Sequence, residues 1–321
     1  MTSTLRSRVL PFVLLVAGLA LVAWLVMQAG PLAVWDALRH AAPWLPAIVG
    51  LEVLMATLDA VAVRGLLGAD SRQVTAPQWV RATGLAYGAC ILLPAGRLTG
   101  EAVRATTLAT TVGVGQATLA CARLQASALA GNAVISVIGI LVLAFSPTPP
   151  SVLLIALGAN GVACGVLATA VYYLARHPGV GAWLRKRLAQ FLPPAVEGAP
   201  TAAALGDTLP AVGWCTLARL LQALQYGLVV VAVGGSWGVT NAFAAQAIHL
   251  VGAAVGDAIP GHLGASEGTY RAFAGVLGFG ADPARALAIA LVMRAVQLCA
   301  AAGGLLAGFG AGRFIARPEA P

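Results

Sequence analysis

The sequence predicts an all-α fold, a polytopic transmembrane helical bundle arranged as an inverted repeat with two re-entrant (broken) helical hairpins. Three observations carry this. Of 321 residues, 60% are hydrophobic and only 9% are charged, whereas a soluble domain carries roughly 25% charged residues. Long apolar runs recur along the chain without the alternation of a β-barrel strand. Two of those runs are interrupted by matched polar breaks, Leu92–Arg104 (LLPAGRLTGEAVR) and Ile259–Arg271 (IPGHLGASEGTYR). Their prolines are offset by 260−94 = 166 positions and their glutamates by 267−101 = 166. Matched breaks, one per half, are the pattern of a transporter site between internal repeats.

The elements follow in order. Residues 9–27, preceded by Arg6 and Arg8, exceed the roughly 7–15 apolar residues of a signal-peptide core and read as a retained first span. Further spans are expected at 43–66, 116–145, 152–174, 210–233 and 284–310, each long enough for a hydrocarbon core of about 30 Å. The runs 82–115 and 239–279 hold the breaks. Their pieces are short for crossing, so each reads as a hairpin that enters and leaves on one side. Such backbone persists in a membrane only when buried in protein or lining a wet cavity.

Charge orients the spans. The N-terminus, 64–81, 175–209 and the C-terminus hold eleven of the 19 basic residues, and the opposite side holds Arg39 alone. The positive-inside rule then puts both termini in the cytoplasm and the chain in the cell (inner) membrane. The chain reads as a single transmembrane domain, with pseudo-repeat halves at roughly 9–145 and 152–311 and a short connector at 146–151. The 166-residue offset carries 43–66 and 116–145 onto predicted spans. Three spans per half is an odd number, so the halves are expected to be inverted, which is the geometry of alternating access. In the loop 175–209, Trp183 beside the basic run at 184–187 reads either as an amphipathic segment on the anionic leaflet or as a solvated linker.

Charges at membrane depth are expensive and mark function or pairing. The candidate transport residues are Arg97, Glu101, Arg104, Glu267, Arg271 and Arg294. Glu101 and Arg104 are three apart, and Glu267 and Arg271 four apart with Glu first, so each pair shares a helical face. Pro94, Gly96 and Gly100 form the first break; Pro260, Gly261 and Gly264 form the second. A helix starting after each break directs free N–H groups and a positive dipole inward, suited to a phosphate headgroup. The alternative is that each Glu–Arg pair neutralises itself and holds the hairpin tip. Glu52 and Asp59, seven apart on one face, read as a relay with Asp257, or as partners of Arg219. Arg123 either snorkels to the interface or lines the cavity. Arg294 is expected to face Glu267 or Asp257. His249 reads more readily as a hydrogen-bonded helix contact than as a proton carrier.

Other chemistries find no support. The five cysteines fall in apolar runs with no CxxC pair, and the four histidines lack ligand spacing. No nucleotide or zinc-protease motif is present, so no cofactor, metal or catalytic residue is expected. The net charge of +8 is spread over loops and fits topology better than nucleic-acid binding.

The segments LLPAGRLTGEAVRATTLA and IPGHLGASEGTYRAFAGVLGFGADPARALAIALVMR resemble the two signature regions of the lysylphosphatidylglycerol synthase transmembrane, or flippase-like, family, which includes hopanoid-associated members. Pro94, Gly100, Glu101 and Arg104 match the first region. Pro260, Gly261, Leu263, Gly264, Glu267 and Arg294 match the second. His262 departs from the family's small residue. The resemblance implies movement of a lipid, anionic or isoprenoid, with membrane lipids as partners and a lipid-synthesis enzyme as a possible one. With no soluble aminoacyl-transfer domain by residue 321, the chain is expected not to be an enzyme. A membrane-embedded headgroup-modifying enzyme, or a non-catalytic partner of one, is the alternative.

Overall fold

Apolar runs this long leave the backbone no water to bond with, so helix is the only economical conformation. The computed structural model describes residues 20–93, 95–176, 208–256, 259, 262–280 and 282–315, and all regular structure among them is helical. Helix α1, Ala20–Ala29, is the described part of the first apolar run. Then come α2 (Pro31–Ala41), α3 (Leu45–Leu67), α4 (Ala76–Leu92), α5 (Gly96–Val112), α6 (Val114–Ala144) and α7 (Ser151–Arg176). The second half holds α8 (Leu209–Ala232), α9 (Val239–Gly256), α10 (Ala265–Ala272) with a 3-10 turn at Ala274–Leu277, and α11 (Pro283–Ile315). Among the described residues, six helical segments are long and apolar enough to cross a membrane.

Five of these correspond to the expected spans at 43–66, 116–145, 152–174, 210–233 and 284–310. The sixth is α9, read from sequence as one arm of a broken hairpin. The loop 177–207, and with it Trp183, lies outside the described residues. So do Pro94, Asp257, Pro260 and Gly261. Helix α2 was not expected. Gly30, at φ 89°, turns the chain out of α1, and Pro31 opens α2 at a position where its missing N–H is harmless.

The chain breaks where the sequence placed the breaks. Helix α4 ends at Leu92 and α5 starts at Gly96, and the two pack side by side as a hairpin. Ala95, at φ 59°, takes the left-handed conformation that turns the chain. At the second break His262 does the same at φ 56°. Gly100 sits where α5 crosses α4 so closely that a Cβ would lie 2.7 Å from the Ala86 carbonyl oxygen.

Adding 166 to α3, α4, α5 and α6 gives 211–233, 242–258, 262–278 and 280–310. These are the places of α8, α9, α10 with its 3-10 turn, and α11. Packing follows the same rule. The α4–α11 contact has its counterpart in α9–α6, α3–α4 in α8–α9, α5–α6 in α10–α11, and α3–α8 maps onto itself. The largest apolar core surrounds that shared contact, with Ile48, Val229, Ile248 and Ile289 fully buried. Against α4, helix α11 presents small residues. A Cβ on Gly84 would lie 2.1 Å from the Gly304 carbonyl oxygen, and Gly88 faces Leu305. With no side chain between them, the two backbones touch, as small residues permit in membrane helices.

Candidate functional site at the two helix breaks

Helix α5 carries the first charged set. Its wheel puts Arg97, Gly100, Glu101 and Arg104 on one inward stripe, because positions three and four apart share a face. Glu101 and Arg104 are both buried, and Arg104 Nε donates to Glu101 Oε2 at 3.1 Å. The pair expected from sequence therefore forms. Arg97 reaches across to α3, where its Nη2 lies 3.0 Å from Asp59 Oδ2. Asp59 is thus paired with Arg97, and not with Arg219 as one sequence reading had it. Arg219 instead donates from Nη1 to Gln222 Oε1 on its own helix, at 2.8 Å.

Glu52, one turn-pair earlier on α3, belongs to a different set. Its Oε1 accepts from the Tyr87 hydroxyl at 2.5 Å and its Oε2 from Gln225 Nε2 at 2.8 Å. Gln225 also donates to the Ile48 carbonyl, tying α8 to α3. Glu52 and Asp59 share a face, but their hydrogen-bond partners differ.

The second break holds Glu267, which is fully buried. Its Oε2 accepts from the backbone N–H of Gly264, 2.8 Å away, and so caps the first turn of α10. Its Oε1 faces Arg294 Nη2 of α11 at 3.7 Å. The same-face pair of Glu267 with Arg271 does not form. Arg271 lies over the Trp24 ring of α1, 5.7 Å from its centroid, in a cation–π contact. The reason is local: Glu267 turns back to cap its own helix, and α1 offers Arg271 an aromatic face. Leu21 of α1 also lies against Gly264. Arg123 is buried on α6, so it does not snorkel out to an interface. The His249 ring packs 5.0 Å from Tyr226, and Tyr270 donates to the Ala245 carbonyl at 2.7 Å.

Both breaks keep spare polar capacity. Among the described residues the buried atoms Arg97 Nε, Arg104 Nη1, Arg271 Nη1 and Arg294 Nε have no hydrogen-bond partner. Buried polar groups are usually satisfied, so four such arginine atoms, two at each break, are donors with unused hydrogen-bonding capacity. Among the described residues no cluster of three potential metal ligands occurs. Sequence reasoning missed Tyr87, Gln225 and Tyr226. The available signal was a tyrosine hydroxyl inside an apolar run, because a buried tyrosine needs a partner.

Residues 10–303 match the family described as the lysylphosphatidylglycerol synthase TM region. Neither a curated protein nor a solved structure matches the chain. A match over this span, on a chain whose described residues hold six potential helical crossings and a charged break in each half, establishes that this multi-pass membrane protein belongs to the lysylphosphatidylglycerol synthase transmembrane family.

Proposed function

We propose that this protein translocates a lipid across the cell membrane, without itself modifying that lipid. The observation that carries this reading is the set of buried arginine N–H groups left without acceptors at both breaks. Guanidinium groups bind phosphate oxygens in paired, charge-assisted hydrogen bonds. A headgroup would pass between the Arg97–Glu101–Arg104 stripe and the Glu267–Arg294 pair while its chains stay in the bilayer. The two broken elements act as re-entrant hairpins from opposite faces, and the halves are inverted relative to each other, with both termini cytoplasmic. The matched element order and the paired packing support that arrangement. Arm length supports it in the first half alone, where the 17 residues of α4 extend only about 25 Å at 1.5 Å per residue, short of a core of about 30 Å; α9 in the second half is long enough to cross.

Two measurements test this. Purified protein in vesicles is expected to accelerate flip-flop of at least one phosphate-bearing lipid, with the lipid's mass unchanged. A new lipid product in the same vesicles would assign an enzyme instead, and no acceleration across a broad lipid panel with folded protein would remove the proposal. For topology, a single cysteine replacing Thr148 in a cysteine-free background should label from outside, and one replacing Gln190 from inside. Labelling of both from one side would rule out the six-span arrangement.

A further inference from the structure

A cavity of about 490 Å³ opens on the flank of the bundle between α3, α4 and α11. Its walls are almost wholly apolar, and α11 contributes Ala300, Gly303, Gly304 and Ala307 to them. The mouth lies on the bundle's perimeter: Val53, Thr57, Val80, Cys299 and Gly303 are all exposed. The inner end is closed by Glu52 and Tyr87, which bond to each other. The other end is bounded by Ala60, Trp79 and Ala307.

From Val49 to Ala60 the lined stretch of α3 covers eleven steps, about 16 Å at 1.5 Å per residue, or about half a 30 Å hydrocarbon core. The groove therefore has the length of one leaflet. Its outer end carries interface chemistry. Arg64 follows Ala60 by four residues and so continues the same face of α3. Arg81 follows Val80 on α4 and lies against α11, its Cζ 3.6 Å from where a Cβ on Gly312 would be. Trp79, two residues before Arg81 on α4 and lining the groove, is the residue type that settles at headgroup level. The counterpart surface in the second half, between α6 and α9, is not open: α7 covers it, with Leu153 and Leu157 fully buried. One half thus fills this surface with its own apolar side chains, and the other leaves it to the surrounding bilayer.

We infer that the α3–α4–α11 groove is a lateral binding site for one hydrocarbon chain of an anionic phospholipid, whose headgroup sits at Arg64, Arg81 and Trp79. Charge asymmetry makes this the cytoplasmic leaflet. The inference rests on the translocation reading in taking this lipid to be the one loaded for transport. From the groove, the headgroup lies on the same side of the bundle as the entrance to the α4–α5 hairpin. Glu52, bonded to Tyr87 and Gln225, closes the end of the groove away from the headgroup.

The test uses the full chain in nanodiscs of phosphatidylcholine, with traces of phosphatidylglycerol or phosphatidylcholine bearing a mid-chain diazirine. Photolysis and peptide mapping should place the phosphatidylglycerol label on α3 and α11 within the groove. Gly303→Leu fills the groove from a position where an added Cβ meets nothing within 4 Å, so the fold should survive. It should cut groove labelling about tenfold, the effect of losing about two methylenes of burial. Gly303→Ala should give a smaller loss and guards against misfolding. Arg64→Gln with Arg81→Gln should lower phosphatidylglycerol labelling to the phosphatidylcholine level. Labelling spread evenly around the perimeter, or groove labelling unaffected by Gly303→Leu, would overturn the inference. Lipid flip-flop with no groove label would remove this site and leave the translocation reading. Groove label without flip-flop would keep the site and remove that reading.

Discussion

Glu101→Gln and Glu267→Gln are both expected to impair lipid translocation, but with different effects on the fold. Glutamine keeps the shape of the side chain and removes the charge. At Glu267 it can still accept from the Gly264 N–H and hold the first turn of α10. Its arginine partner, Arg294, is 3.7 Å away and partly exposed at 16%, so the cation left behind finds some water. The stability lost should be about 1–3 kcal/mol, between the limits for surface and buried pairs. At Glu101 the bond to Arg104 is 3.1 Å and both side chains are below 10% exposure. Removing that charge strands a buried guanidinium, and the loss should approach about 3–5 kcal/mol. Thermal melting in detergent should therefore rank wild type above Glu267→Gln, and Glu267→Gln above Glu101→Gln. Flip-flop in vesicles should fall at least about tenfold for both, the result of losing roughly 1.4 kcal/mol at a rate-determining step. Two folded variants that transport at wild-type rates would show that these breaks are not the site.

Gly84→Leu should prevent recovery of folded protein altogether. Even alanine at this position puts a Cβ 2.1 Å from the Gly304 carbonyl oxygen, and the obstacle is backbone that cannot rotate away. The helices would have to part along a contact that also seats Gly88 against Leu305 and Gly308 against Leu85. Overpacking of ordinary cores costs about 1–3 kcal/mol, and a backbone-to-backbone clash exceeds that range. The control lies on the facing helix. Gly303→Ala adds a Cβ with no atom within 4 Å and replaces glycine in a helix interior, so it should be neutral or stabilising by up to about 1 kcal/mol. The fraction eluting as a single monodisperse species, with its melting temperature, reads both. A Gly84→Ala protein that melts like wild type would contradict the α4–α11 contact.

Much of this was visible in the sequence, for identifiable reasons. Membrane residence follows from composition, because too few charges exist to solvate a surface. The breaks at 92–96 and 256–265 follow from Pro94, Gly96, Pro260 and Gly264 set within apolar runs. The Glu101–Arg104 bond follows from helical spacing alone. What stayed hidden depends on contacts between distant segments. Arg294 facing Glu267 was among the expectations and is found, but spacing also favoured Arg271 as a partner of Glu267, and Trp24 on a distant helix takes Arg271 instead. Likewise Asp59 meets Arg97 across 38 positions, and Glu52 meets Gln225 across 173. No local pattern encodes such encounters. The sixth potential crossing, α9, was hidden for another reason: its apolar run continues into the break, so length alone did not separate helix from hairpin.

The bare backbone contact between α4 and α11 bears on how the molecule could move. Interlocked side chains resist sliding, because each must climb out of its hole before entering the next. Where Gly84 meets Gly304 that corrugation vanishes, but on the turns to either side Leu305 sits in the notch at Gly88 and Leu85 in the notch at Gly308. The contact is smooth at its centre and toothed at its ends. The hairpin α4–α5, which carries Arg97, Glu101 and Arg104, is thereby held to α11 in one seat, and any slide along the axis has to lift both leucines out together.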